Sequence, residues 1–267
     1  MPALRPAVVD GLFYPAAAPA LRAEIAALLA GAASAPAASA PRLLIAPHAG
    51  YTYCGPVAAS AYALLSQGRA AGVRRVAVLG PAHRVPLRGL AFPSAQAFAT
   101  PLGEVPVDTA ALRGLGDLPQ VRCDDRAHEH EHAIEVQLPF LQAVLGDFAL
   151  VPLVVGEADA EEVAQVLERL WDGAGTLVVI SSDLSHYLGH AEAQALDRAT
   201  ARRILAGEPA LETHEACGAT AINGALLLAR RHGLRARLLD LRNSGDTAGD
   251  RHRVVGYGAI VFEEDAG

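Results

Sequence analysis

Short runs that are apolar at nearly every position alternate along this chain with longer segments whose apolar residues recur at helical spacing. LLIA (43–46), VAVLG (76–80), FALVPLVV (148–155) and LVVI (177–180) are the short runs. The longer segments predict helices over 21–30, from about Pro56 to Leu65, from near Glu131, and over 159–171, 191–206 and 217–231. A strand with one wet face alternates apolar and polar residues, so continuous runs imply cover on both sides, as in a parallel sheet between helices. The expected fold class is therefore α/β. ARLLDLR (236–242) and VVGYGAIVF (254–262) are joined by a loop too short for a crossover helix, so they are expected to pair antiparallel. That makes the sheet mixed, though mostly parallel and flanked by helices. No composition shift between residues 42 and 263 marks a linker, and no repeat is visible. One domain over 1–267 is expected, with GAASAPAASAP (31–41), which has no large side chain, as a flexible surface segment.

The chain has 267 residues and is 52% hydrophobic, enough for a sizeable core and incompatible with disorder as the dominant state. A net charge of -7 gives no footprint for nucleic acid or an anionic membrane, which leaves a small-molecule substrate as the expected partner. All 22 basic residues are arginine, which excludes P-loop, Schiff-base and pyridoxal chemistry that needs a lysine. Cys54, Cys123 and Cys217 form no CxxC, arguing against a disulfide framework and fitting a reducing compartment. The N-terminus shows no secretory signal and no apolar run reaches spanning length, so a cytoplasmic location and no membrane are expected.

Three apolar runs end in a polar cluster with a histidine: LLIA in Pro47-His48, VAVLG in Pro81-Ala82-His83, and LVVI in Ser181-Ser182-Asp183-Leu184-Ser185-His186. In a parallel sheet the strand C-termini share one side and ligands bind in the crevice there, so these histidines are expected to converge. HEHEH (128–132) forms a fourth cluster. Acidic residues favour a helix N-terminus, so His128, Glu129 and His130 are expected to be a solvated first turn. Glu131, His132 and Glu135 lie deeper and are candidates to orient metal ligands. The loop 242–250 offers Asp246 as a carboxylate. Two histidines plus a carboxylate suit non-haem Fe(II), and zinc accepts a similar set. No G-x-S-x-G elbow surrounds Ser181, Ser182 or Ser185, and Cys54 is expected to be a buried small residue.

The segments RPAVVDGLFYP (5–15), APHAGYTYCGP (46–56), LGPAH (79–83), EHAIEVQLPF (131–140), SSDLSHY (181–187), CG (217–218) and NSGDTAGD (243–250) resemble, in order and end to end, the Memo family, called AmmeMemoRadiSam system protein B in bacteria and archaea. That family is similar in fold to the class III extradiol dioxygenases of the LigB type, whose iron is held by two histidines and a glutamate. The resemblance implies that His48 and His83 are metal ligands and that His186 is an acid/base. For the third ligand Asp246 is the candidate, although Thr247 aligns more directly. Asp183 is expected to fix the His186 tautomer, with His132 and Glu135 supporting the site. Fe(II) is the expected cofactor, with Zn or Cu as alternatives. The resemblance further implies a dioxygenase-like redox activity in a pathway shared with an AMMECR1-like protein and a radical SAM protein. A binding module that kept the pocket and lost the chemistry, and a zinc-dependent hydrolase with His186 or Glu135 as base, are the rivals.

Overall fold

A computed structural model describes residues 3–32, 41–66, 70, 72–173 and 175–264. Most of the segment expected to be flexible, 31–41, lies outside them. The first half contains β1 (Leu4–Arg5), α1 (Ala18–Gly31), β2 (Leu43–Ala46), α2 (Tyr51–Tyr62), β3 (Arg75–Pro81), β4 (Leu90–Phe92), β5 (Ala97–Thr100), β6 (Gly103–Pro106), α3 (Thr109–Arg113), β7 (Val121–Cys123) and α4 (Arg126–Glu129). The second half contains α5 (Leu138–Leu145), β8 (Ala149–Val155), α6 (Ala160–Leu170), β9 (Thr176–Ser181), β10 (His186–Leu188), α7 (His190–Leu205), α8 (Ala219–Arg231), β11 (Leu234–Asn243), α9 (Ser244–Thr247) and β12 (Val254–Glu264).

The four continuous apolar runs become the parallel centre of the main sheet, in the order β2-β9-β3-β8. β2 is buried at every position, as is β9, which is what cover on both faces requires. α1, α2 and α5 pack as one group and α6 against α8 as another. β12 runs antiparallel to β2 and also pairs antiparallel with β10 and β11, so the sheet is mixed as its pattern predicted. A small separate sheet joins β1, β5 and β6. No helix among the described residues is long and apolar enough to cross a membrane.

Two helix boundaries differ from the pattern, each for a tertiary reason. α2 begins at Tyr51, five residues before the proline expected to open it. The Tyr51 N–H donates to the Phe13 carbonyl and its hydroxyl to the Val136 carbonyl, so long-range contacts recruit the extra turn. No helix begins at Glu131. Its carboxylate takes the N–H groups of His132 and Ala133, a 3-10 turn follows at Glu135–Gln137, and α5 starts only at Leu138 with Pro139 in its first turn. Glu131 and Glu135 therefore do not share a helix face.

Glu135 does something else. Fully buried, its carboxylate accepts from the N–H groups of Val8 and Val9 at 3.0 Å, from the Tyr14 hydroxyl at 2.6 Å and from Arg5. It anchors the N-terminal segment across the molecule, with Arg5 also donating to the His128 and Glu131 carbonyls. Removing the anion strands a buried guanidinium, so Glu135→Ala is expected to lower unfolding stability by about 3–5 kcal/mol. Urea denaturation checks this; a midpoint unchanged from the wild type would contradict it.

Candidate metal centre

His48, His83 and His132 face one another at the C-terminal ends of β2 and β3, and one nitrogen from each ring lies within 4.8 Å of the other two. Ring centroids are 5.2 Å apart for His48–His83, 5.4 Å for His48–His132 and 4.9 Å for His83–His132. They open onto a cavity of about 780 Å³ that Asp183, His186 and Cys217 also line. Leu12, Phe13, Tyr53 and Tyr187 give that cavity an apolar side. The convergence expected of His48, His83 and His186 is present, with His132 added.

Hydrogen bonds fix the protonation of two of these rings. The Tyr62 hydroxyl donates to Gln137 Oε1 at 2.7 Å, so the Gln137 amide nitrogen points at the Pro47 carbonyl and at Ser181 Oγ. The Ser181 hydroxyl gives its own proton to the Ala133 carbonyl at 2.6 Å. What remains on Ser181 Oγ is a lone pair, so His48 Nδ1, 2.9 Å away, must be the N–H partner. His48 Nε2 is left as an acceptor, with the Cys217 thiol within hydrogen-bond distance of it. The same logic holds for His83, whose Nδ1 lies 3.0 Å from Glu131 Oε1. Burial alone would raise the Glu131 carboxyl, but the hydrogen bond and charge of His83 and the Ala133 N–H outweigh it and hold it at about 2. An ionised carboxylate only accepts, so His83 also carries its proton on Nδ1.

His132 completes the fit. Its Nδ1 is 3.3 Å from Glu131 Oε1 but without hydrogen-bond geometry, and it is a buried nitrogen with no hydrogen-bond partner among the described residues. It faces the same carboxylate oxygen as His83 Nδ1, and imidazole nitrogens bound to one ion lie about 3–4 Å apart, so holding a cation between the three rings needs a modest tightening of the group. Burial, then neighbouring imidazoles, lower His48 to about 3 and His132 to about 4, so both rings are neutral at ordinary pH, the form a metal requires. Phe13 meets His132 edge-on at 4.9 Å, which is how the strap anchored by Glu135 reaches the site.

Other expected site residues are placed differently. Asp246 does not line the cavity: its carboxylate takes His190 Nε2 at 2.6 Å and the Asn243 N–H at 3.1 Å, because the loop coils into the one-turn helix α9 and spends that carboxylate on its cap. Thr247 donates back to the Ser244 carbonyl. Glu135, committed to the strap, is also absent from the cavity wall. Asp183 lines the cavity, but the hydrogen bond it makes is from the His48 N–H at 2.8 Å, and none described joins it to His186. Burial raises its carboxyl. His186 follows β9 into β10, paired with Val255, and its neighbour Tyr187 holds a left-handed backbone at φ 62°, the kind of local strain that gathers at functional sites. His128 is buried with Nε2 on the Ala91 carbonyl, not solvated as expected, whereas Glu129 and His130 are exposed. Cys54 is buried, as its sequence context predicted.

Two residues stand closer to the site than the sequence pattern suggests. Helical spacing makes His132 a support to the ligands, whereas with no helix there its ring joins those of His48 and His83. Cys217, legible only as one of three separate cysteines and as part of the CG motif, has Sγ 3.4 Å from His48 Nε2.

Two outcomes follow from these bonds. Glu131→Gln, which keeps the shape but weakens its hold on the His83 proton, is expected to reduce zinc affinity by about 10–100-fold, measurable by competition with a chromophoric chelator. Undiminished affinity would show that Glu131 does not orient the ligands. Stability should also fall with acid. His48, His128 and His132 titrate at about 3, 4 and 4 when folded and near 6.5 when unfolded, so the unfolded chain binds more protons below pH 6.5. The stabilisation is full above that pH and is lost as pH falls towards 4, partly offset by the raised carboxyls of Asp183 and Asp197. Calorimetry of metal-free protein across this window should show a falling Tm; a flat profile would refute the account.

The comparisons with known proteins agree with the order of motifs. The sequence model of the Memo-like protein family matches residues 5–261. A MEMO1 family protein of Aeropyrum pernix is 38% identical over 230 residues, 81% of each chain. Another, of Archaeoglobus fulgidus, is 36% identical over 233 residues, covering 82% of this chain and 85% of the relative. A third, of Sulfolobus acidocaldarius, is 37% identical over 239 residues, 83% and 82% respectively. With nearly its whole length matched and its histidines gathered at the sheet's C-terminal edge, this chain belongs to the Memo-like family.

Proposed function

We propose that this protein is a metal-dependent enzyme acting on a small molecule, with His48, His83 and His132 holding the ion. The observation that carries this reading is the set of three imidazoles, each with a nitrogen within 4.8 Å of the other two and two of them held by outer hydrogen bonds on Nδ1, in a cavity large enough for a small substrate. An ion held there supplies Lewis acidity and, when it is Fe(II), a route for electrons to dioxygen.

The chain's own residues do the remaining work. His186, on the same cavity wall, is the group placed to take or return a substrate proton. Asp183 holds the His48 backbone and keeps a carboxylate at the cavity surface. Phe13 and Tyr53 give the substrate an apolar face to lie on and reduce the water around it. Iron-dependent, dioxygenase-like oxidation is the first reading, in line with the fold likeness of the family, and the AMMECR1-like and radical SAM proteins belong to the same proposal as pathway partners. One observation favours a second reading. Three imidazoles, in place of two with a carboxylate, are also a catalytic zinc set, which would make the reaction a hydrolysis.

Metal analysis of protein purified anaerobically without added ions decides between these readings. Bound iron, and oxygen uptake with catechols that falls by about 10²–10⁴-fold in His186→Gln while the iron stays bound, is expected for the first. Zinc without oxygen uptake supports the second. Metal retained undiminished by both His48→Ala and His83→Ala would remove the site itself from consideration.

A further inference from the structure

Three imidazoles bring no negative charge to a cation, and the carboxylate expected to supply it, Asp246, is bound elsewhere. Among the residues lining the cavity, Asp183 and Cys217 carry side chains that can become anionic donors close to the rings. Asp183 Oδ1 already takes the His48 N–H. Cys217 Sγ, by contrast, stands 3.4 Å from His48 Nε2, the nitrogen that the Ser181 bond leaves as acceptor for the thiol proton. A tetrahedral ion with a bond of about 2.3 Å to sulfur and about 2.0–2.1 Å to imidazole holds those two atoms about 3.6 Å apart. The separation at this edge of the site is already that of two ligands of one ion.

The chain around Cys217 is pinned to keep it there. Its N–H donates to the Asp183 carbonyl at 3.2 Å, and the next N–H, of Gly218, donates to Ser182 Oγ at 2.9 Å. A Cβ at Gly218 would lie 2.7 Å from Ser182 Cβ and 3.1 Å from the Ser181 carbonyl, so glycine is what lets the segment press against the end of β9. Cys217 also sits at the entrance to the 13-residue helix α8, where the unpaired amides favour an anion.

The geometry points to Cys217 as a thiolate ligand that joins His48, His83 and His132 on the bound ion. This rests on the metal reading above and deepens it. The sulfur lies outside the trio whose donors are mutually within 4.8 Å, so a turn about its Cα–Cβ bond would be needed to bring it onto the ion. As the sulfur–metal bond forms, the S–H bond breaks and its proton passes to the buffer; no oxidant or reductant is involved. A thiolate donor selects zinc, iron or copper over magnesium and calcium.

Cobalt(II) added anaerobically to the metal-free, full-length protein tests the assignment. The wild type is expected to bind equimolar cobalt with a near-ultraviolet thiolate-to-cobalt charge-transfer band. Cys217→Ser should keep the bound cobalt, lose the band and release a proton fewer per ion, while Cys54→Ser and Cys123→Ser keep both. Should Cys217→Ser fail to fold, Cys217→Ala is compared in the same way, and the wild-type spectrum stands by itself. Bound cobalt without the band, or a band that survives in Cys217→Ser or Cys217→Ala, overturns the thiolate ligand and leaves the three-histidine site standing. Absence of cobalt binding in the wild type overturns both.

Discussion

The buried carboxylate of Glu131 receives the His83 N–H at 2.8 Å, His83 Nδ1, and the N–H groups of His132 and Ala133. One anion thereby fixes a ring that follows β3 and a ring that lies 49 positions further along the chain, in a segment with no regular structure. Without it, the N–H groups of His132 and Ala133 would need other partners. With it, the chain stays irregular where the site needs His132 to face His83. Ionic and backbone requirements are met by the same two oxygens, so the geometry of the site and the break in the helix are a single event.

A second, uncharged relay does the equivalent task for His48. Tyr62, Gln137, Ser181 and the Ala133 carbonyl form a chain of hydrogen bonds whose directions fix one another in turn, and its end is the proton on His48 Nδ1. The two systems meet at Ala133, whose N–H belongs to Glu131 and whose carbonyl belongs to Ser181. Gly80 of β3 has room for no side chain there, because a Cβ would come within 2.8 Å of the Ala133 methyl. Packing against the sheet and polarity at its edge thus hold the same residue.

Burial is used here against the ordinary preference of histidine. Burying His48, and most of His132, makes their charged forms costly, which keeps the rings neutral at the expense of acid stability. The N-terminal strap adds to that seal. Glu135 draws residues 5–14 across the molecule and lays Phe13 against His132, so a carboxylate outside the cavity shapes its wall.

Continuous apolar runs with a histidine just beyond them carried the parallel sheet and the meeting of His48, His83 and His186, because strand hydrophobicity and chain direction are local properties that place strand ends on one side. The antiparallel pairing of the last two long strands was legible for the same kind of reason, the shortness of their connection. The roles of His132, Glu135, Asp246 and Cys217 were not. Helical spacing put Glu131 and Glu135 on one face, but spacing cannot show that backbone N–H groups will be taken by a side chain or that Arg5 and Tyr14 will claim a carboxylate 121 or more residues away. Nor can a turn-rich loop show that Asp246 will cap its own turn and bind His190. Sequence determined the strands of the parallel centre and the side on which they end; tertiary structure moved two helix starts and decided which carboxylates and imidazoles were free at that edge, because a polar group's partner is chosen in space, among groups the chain brings together only on folding.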